Sequence, residues 1–352
     1  MPSKVISLRA QLIGEINDFL SDEGMSCDKT AYSLMELVVL ISKYREEGVS
    51  YNPEVVICDD LTSISRLLQG REHINVGSGE RTNETVKEAL KKCATLAQDG
   101  WAIYLHRTNI GYNYGIIRLG SSPISISPSD ILEKEPDSNR AKILYVTQIS
   151  DGIVELRGSG GRSTVICFND ARANIEDPRL ALNKLVDKFT FKVEPRIREQ
   201  TAIYFRRVLT QALQLSHGTL VAVMDSSITE RLSYCDDGTF LPNPINICEQ
   251  IGDFLAEQSM ESGAKLQATA TLIRGMLRSD GITLFSDNGC IVGFRIFIGK
   301  ADATGSRPGQ TKIIGGARRR AYDTMKTKLG QGLVATFFRS QDGHMECHMG
   351  DA

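Results

Sequence analysis

Two short runs of this chain carry almost no polar side chain at any position: Thr219-Leu-Val-Ala-Val-Met224 and Leu333-Val-Ala-Thr-Phe-Phe338. Both are far too short to span a bilayer, and as strands they point apolar groups to both faces of a sheet. Such strands are stable only with helices above and below them, so the second half is expected to be a layered α/β domain. Covering helices are legible at Ile197 to Leu215, with Ile203, Phe205, Leu209 and Leu213 at helical spacing, and at Ile245 to Gln258 and Ala264 to Leu277. Asp237-Gly238 reads as a loop between them. A hairpin is expected from Ile282-Thr-Leu-Phe through the turn Ser286-Asp-Asn-Gly289 to Cys290–Ile298, and a last strand after Ser340-Gln-Asp-Gly343.

The first half reads differently. Helical spacing of Leu12, Ile13, Ile16, Phe19 and Leu20, then an apolar run from Leu34 to Tyr44, predicts two helices, followed by a strand at Glu54–Cys58. Gly77-Ser-Gly-Glu-Arg-Thr reads as a loop ahead of a helix from Val86 to Ala97; Gly77-x-Gly79 lacks the rest of a nucleotide fingerprint. From Trp101 the period drops to two, and strands are expected at 101–106, 114–119, 142–147, 153–157 and 163–168. Tyr104, Tyr112 and Tyr114 read as core aromatics, with a base-stacking surface as the alternative. The pattern stops near Asn169–Pro178, and the expected domains are 1–185, a helix-then-sheet α+β module, and 186–352, a layered α/β domain with a mixed central sheet.

Charge excludes one class of partner. Lys and Arg number 41 against 43 Asp and Glu, so no global positive field exists to hold long nucleic acid, and no sequence-specific nucleic-acid contact is expected. Any anion site must be local. Neither a signal peptide nor a long apolar run is present, so no membrane association is expected and the location expected is cytoplasmic. Eight cysteines without a CxxC pair read as reduced core thiols. His344, Glu346 and His348 would share one strand face, which reads as a polar face ahead of a metal site.

A local anion site is suggested by Gly315-Gly316-Ala317-Arg318-Arg319-Arg320, after the flexible stretch 305–310 and ahead of a helical segment from Tyr322. Glycines permit close backbone approach, a helix start offers unpaired N–H groups, and guanidiniums add charge; a helix start with solvated arginines is the alternative. Consecutive helical residues are about 100° apart, so three arginines face one ligand only if the run is still loop. One hairpin earlier, Asp280-Gly281-Ile282 offers a carboxylate that could share a divalent cation with bound phosphates, though Asp-Gly is also a common turn pair.

In order and spacing, His217–Asp225, Leu277–Phe285, Gly316–Tyr322 and Phe338–Gly343 resemble the diadenylate cyclase domain, with its Asp-Gly-Ala motif, its Gly-Thr-Arg-His-Arg motif and a strand ending in Ser-Gln or Ser-Glu. The resemblance covers residues 195–350, and the whole chain looks most like the DACNV subgroup, proposed to sense nucleotide signals in prokaryotic defence. It implies two ATP molecules joined into cyclic di-AMP and pyrophosphate by a homo-oligomer with face-to-face domains, using Mg²⁺ or Mn²⁺. By position it implies Asp280 as metal ligand and catalytic residue, Arg318 and Arg320 as catalytic phosphate holders, and Gly281, Ile282, Gly315, Gly316, Ala317, Arg319, Ser340 and Gln341 along the nucleotide.

Three positions depart from the motifs: Ile282 for alanine, Ala317 for threonine and Arg319 for histidine. Arginine can neither ligate a metal nor accept a proton, but it binds phosphate well. Two functions follow: a metal-dependent cyclase with a regulatory first half, favoured by the retained Asp280, or an impaired site that senses ATP or a cyclic nucleotide and reports to an effector protein. A fold that has lost nucleotides altogether is the third reading.

Overall fold

The computed structural model describes residues 7–68, 70, 72–120, 122–134, 141–168, 177–298 and 316–350. It is an α/β protein of helices and mixed sheets, dividing into two compact units: residues 1–121 with 125–169, and 122–124 with 170–352. The expected boundary at 185 would cut a helix that belongs wholly to the second unit.

The first unit opens with α1 (Leu8–Asp22) and α2 (Asp28–Ile41), then a small ribbon of β1 (Arg45–Glu46) and β2 (Val49–Ser50). Its sheet is built from β3 (Val55–Cys58), β4 (His73–Glu80), β5 (Trp101–Arg107), β6 (Gly111–Arg118), β7 (Ile143–Ser150), β8 (Ile153–Gly158) and β9 (Ser163–Cys167). Helices α3 (Leu61–Leu67), α4 (Asn83–Cys93) and α5 (Pro128–Lys134) lie between them. Strand order is β4-β6-β5-β3-β7-β8-β9, parallel only at β3–β5. Period-two alternation splits the core: Val55, Ile57, Ile103 and Leu105 pack with α1, α2 and α4, whereas Val56, Cys58, Ala102 and Tyr104 face Ile64 of α3 and Leu132 of α5.

The second unit runs α6 (Pro178–Phe189), α7 (Pro195–Leu215), β10 (Thr219–Met224), β11 (Cys235–Asn246), α8 (Ile247–Glu257), α9 (Met260–Arg278), β12 (Ile282–Ser286), β13 (Cys290–Ile298), α10 (Ala317–Lys326), β14 (Leu333–Arg339) and β15 (Met345–Met349). Its sheet order is β11-β13-β12-β10-β14-β15, parallel only at β10–β12. Strand β10 is buried throughout, as its composition requires. One face is sealed by aromatic packing, with Phe189 of α6 stacked on Phe285 of β12 at 4.2 Å and Phe205 of α7 edge-on at 5.9 Å. The other face carries Leu220, Ile282, Leu284, Ile296 and Phe338 under Tyr322 and Met325 of α10.

The two sheets have the same topology. Setting β9 aside, β3 to β8 occupy the places of β10 to β15 in the same order, with the same single parallel pair at the centre. A helix precedes the second parallel strand in each, α4 or α9, and a helix precedes the antiparallel return strand in each, α5 or α10.

Two segments read as loops are strands. Gly77-Ser-Gly-Glu lies in edge strand β4, where Gly77 makes room for the Tyr114 ring: a Cβ there would stand 2.4 Å from the hydroxyl oxygen. Asp237-Gly238 lies in β11, an edge strand whose pairing with β13 shifts register three times and which tolerates Pro242 and Pro244. Turn chemistry marked both as loops; edge position explains both as strands.

Candidate functional site

The leading ends of parallel strands β10 and β12 gather the sequence-marked residues at one corner of the second unit. Gly218 precedes β10, Asp280-Gly281 precedes β12, and β14 ends alongside, with Arg339 opposite Thr219. Over this corner sits the first turn of α10, which is helical from Ala317 and has Gly316 at its N-cap. The closest approach is Arg318 to Asp280, 3.6 Å between guanidinium and carboxylate, with side chains 40% and 72% exposed. Gly218, at φ 144°, lets Arg318 lie close: a Cβ there would stand 3.2 Å from the arginine's Cδ. Sequence reasoning did not single out Gly218; its signal is the His-Gly pair immediately before a wholly buried strand.

The three consecutive arginines part company as helical geometry demands. Arg318 turns to Asp280. Arg319 turns to the sheet, where it hydrogen-bonds Glu346 of β15, stands 3.4 Å from Asp323, and lies 5.6 Å from the ring centroids of both Tyr322 and Phe338. His344 joins the same carboxylate at 2.7 Å. Burial raises the Glu346 pKa, but hydrogen bonds from Arg319 and His344 outweigh it and hold the carboxyl below its ordinary value. Arg319 thus packs α10 against its sheet. Arg320 is exposed, and its carbonyl accepts from Thr324 at 3.0 Å.

The remaining expected residues divide similarly. Gly281 takes φ 92°, a conformation suited to glycine, directly beside the Asp280 carboxylate. The Ile282 side chain is 2% exposed and belongs to the core under α10, so it cannot crowd a base or sugar at the surface. Ala317 and Gly316 are exposed at the helix start. Ser340 follows Arg339 at the same end of the sheet, its hydroxyl accepting the N–H of His344 at 3.1 Å within the turn, and Gln341 is exposed beside it. Gly315 and the stretch 305–310 lie outside the described residues.

A divalent cation was expected at Asp280. Among the described residues no group of three or more His, Cys, Asp or Glu is placed to hold a metal ion. His348, the outer member of the tail cluster, is bonded through Nδ1 to the Tyr322 hydroxyl at 2.7 Å. Asp280 alone supplies one exposed hard-oxygen ligand. That donor set suits Mg²⁺ or Mn²⁺ only when phosphate oxygens and water fill the remaining positions.

The first unit repeats the corner without an arginine on the matching helix. Gln98-Asp99-Gly100-Trp101 leads into β5 just as Ser279-Asp280-Gly281-Ile282 leads into β12, and Gly100 takes φ 95° where Gly281 takes 92°. Asp151-Gly152 turns β7 into β8 as Asp342-Gly343 turns β14 into β15, with glutamate three residues after each glycine, at Glu155 and Glu346. The helix at the matching place, α5, offers Asp130 and Glu133 and no arginine. Tyr104, Tyr112 and Tyr114 are each 1% exposed, so they are core and not a stacking surface.

No protein-family model matches this chain, and no curated protein matches it. Among the described residues no helix is long and apolar enough to cross a membrane.

Proposed function

We propose that the second unit is a diadenylate-cyclase-like domain that binds ATP or a related nucleotide through its phosphates at the corner of Asp280, Gly281 and Arg318. The observation that carries this reading is the exposed Arg318–Asp280 pair at 3.6 Å, held where a helix start meets the leading end of a strand. An exposed ion pair of this kind contributes about 0–1 kcal/mol, so exchanging the Asp280 carboxylate for phosphate oxygens costs Arg318 little. Gly316 and the first N–H groups of α10 add donors on the same side. A divalent cation, when bound with the nucleotide, would supply charge neutralisation between Asp280 and the phosphates. Arg318 would orient the phosphate chain, and Gly281 would admit the ligand close to the backbone.

Recognition without turnover is the reading favoured here, because the position that is histidine in the resembled motif is Arg319, which is bonded to Glu346 and can neither ligate a metal nor accept a proton. Condensation of two ATP to cyclic di-AMP and pyrophosphate is the second reading, favoured by the exposed metal-type carboxylate of Asp280. It would act by positioning and charge stabilisation and needs a second domain facing the first. A sensor would hand its state to an effector protein; a cytoplasmic location fits either reading.

The test is direct. Full-length protein is titrated with ATP, with and without Mg²⁺ or Mn²⁺, and the mixture is assayed for dinucleotide by mass. Saturable binding lost in Arg318→Ala, with no dinucleotide formed, is the expected result. Dinucleotide that disappears in Asp280→Asn establishes the cyclase instead, and neither binding nor product refutes both.

A further inference from the structure

The hairpin beside the Asp280 corner contains a residue that the fold does not require. Strand β12 pairs Ile282 with Ile296 and Leu284 with Gly293, so two steps along β12 are matched by three along β13. On the other side, Asp237 pairs with Phe297 and Thr239 with Phe294, again two against three. The additional residue forms a β-bulge, and within it Arg295 takes φ 53°, a left-handed conformation. Glycine is the ordinary occupant of such a position because side chains strain it. The flanking strands do use glycine: Gly281 at φ 92° and Gly238 at φ 138°. A Cβ on Gly281 would stand 2.9 Å from the Arg295 Cα, and one on Gly238 would stand 2.9 Å from its carbonyl oxygen. Both neighbours thus give way to a strained arginine backbone.

The first unit supplies an internal control. Its matching hairpin pairs Trp101 with Arg118 through to Arg107 with Tyr112 without one register shift. The same topology therefore forms with a regular hairpin, and the bulge occurs only in the unit that also has Arg318. The Arg295 side chain is exposed and makes no ion pair or hydrogen bond among the described residues. Arg318 already faces the Asp280 carboxylate, and the Arg295 backbone lies against Gly281 on the neighbouring strand.

We infer that Arg295 is a further anion-binding residue of this corner, held in its bulge to meet phosphate groups of a nucleotide across Gly281 from Arg318. Strain at a non-glycine residue persists where the side chain does something that glycine cannot. A guanidinium suits this because it presents several N–H donors in a fixed plane to phosphate oxygens. The inference deepens the nucleotide-binding reading and rests on it.

The experiment compares full-length wild type with Arg295→Gly, Arg295→Ala, Arg295→Lys and Arg318→Ala. Calorimetric titrations use ATP, inorganic tripolyphosphate and cyclic di-AMP, and thermal melts run in parallel. Arg295→Gly is expected to raise Tm by about 2–4 °C by relieving the left-handed strain. It should also weaken ATP and tripolyphosphate by roughly tenfold or more, as loss of a charge-assisted hydrogen bond does. Arg295→Ala should weaken both to the same degree without the rise in Tm, and Arg295→Lys should keep part of the affinity. Equal losses for cyclic di-AMP identify the phosphodiester as the group held; a loss confined to ATP and tripolyphosphate identifies the polyphosphate chain. If Arg295→Gly raises Tm and binds all three within twofold of wild type while Arg318→Ala loses them, the nucleotide reading stands and the role of Arg295 is overturned. If wild type binds none of the three, the reading beneath fails and the inference falls with it.

Discussion

Replacing Arg319 and Arg318 one at a time should separate folding from binding along one turn of α10. Arg319→Ala leaves Glu346, whose side chain is 16% exposed, with only His344 for a partner, and it removes the guanidinium from Tyr322 and Phe338. Loss of a charged hydrogen bond at a largely buried acceptor costs about 2 kcal/mol. For a unit of this size that corresponds to a fall in Tm of about 4–8 °C. Arg318→Ala breaks an exposed pair whose worth is below about 1 kcal/mol, so its melting point should shift by no more than about 2–4 °C. The pH dependence carries its own sign. Because the Glu346 pKa is lowered on folding, its stabilisation is present above the unfolded glutamate value of about 4.3 and is lost as pH falls through the folded value. The Tm gap between wild type and Arg319→Ala should therefore be widest near neutrality and narrow as pH falls below the ordinary glutamate value. Thermal melts from pH 3 to 8 with ATP titrations at pH 7.5 read both properties. An Arg319→Ala protein with wild-type Tm and no ATP binding would refute the assignment of Arg319 to the α10–sheet contact.

Other expectations follow from particular contacts. Gly100→Ala and Gly281→Ala should both destabilise, since each residue has a positive φ and each Cβ would lie within 3 Å of backbone, at Gly120 O (2.5 Å) and Arg295 Cα (2.9 Å); denaturant melts showing either variant at wild-type stability would contradict the structure. Phe285→Ala should cost about 3–5 kcal/mol, because it empties the stack between Phe189 and Phe205. Burial raises the Cys27 thiol, but Thr30 and Arg81, whose guanidinium is 3.3 Å away, outweigh it and bring the pKa to about 7. Alkylation of Cys27 by iodoacetamide should accordingly rise to half its plateau near pH 7, and Arg81→Ala should move that midpoint upward. Cys58 is pushed up to about 12 by burial and should stay unmodified in the folded protein.

The sheet strands were legible wherever burial followed a simple period: alternation marked β5 to β9, and the unbroken apolar run marked β10. The edge strands β4 and β11 were not, because their glycines, prolines and Asp-Gly pair are turn formers in isolation, and only a neighbour such as Tyr114 explains them. Asp280 and Arg318 could be paired from chain order alone. The direction of Arg319 could not, since it depends on Glu346, 27 positions away on another strand. The shared topology was also hidden, for the two units agree in letters mainly at their Asp-Gly corners and turns.

That shared topology has a consequence for stoichiometry. A chain carrying this six-strand arrangement twice makes the two copies at a ratio of one to one at every concentration. Each copy can then specialise: the first has Asp130 and Glu133 on the helix beside its Asp99-Gly100 corner, and the second has Arg318 on the helix beside Asp280-Gly281. Dilution cannot unbalance such a pair, and one substitution changes one member only.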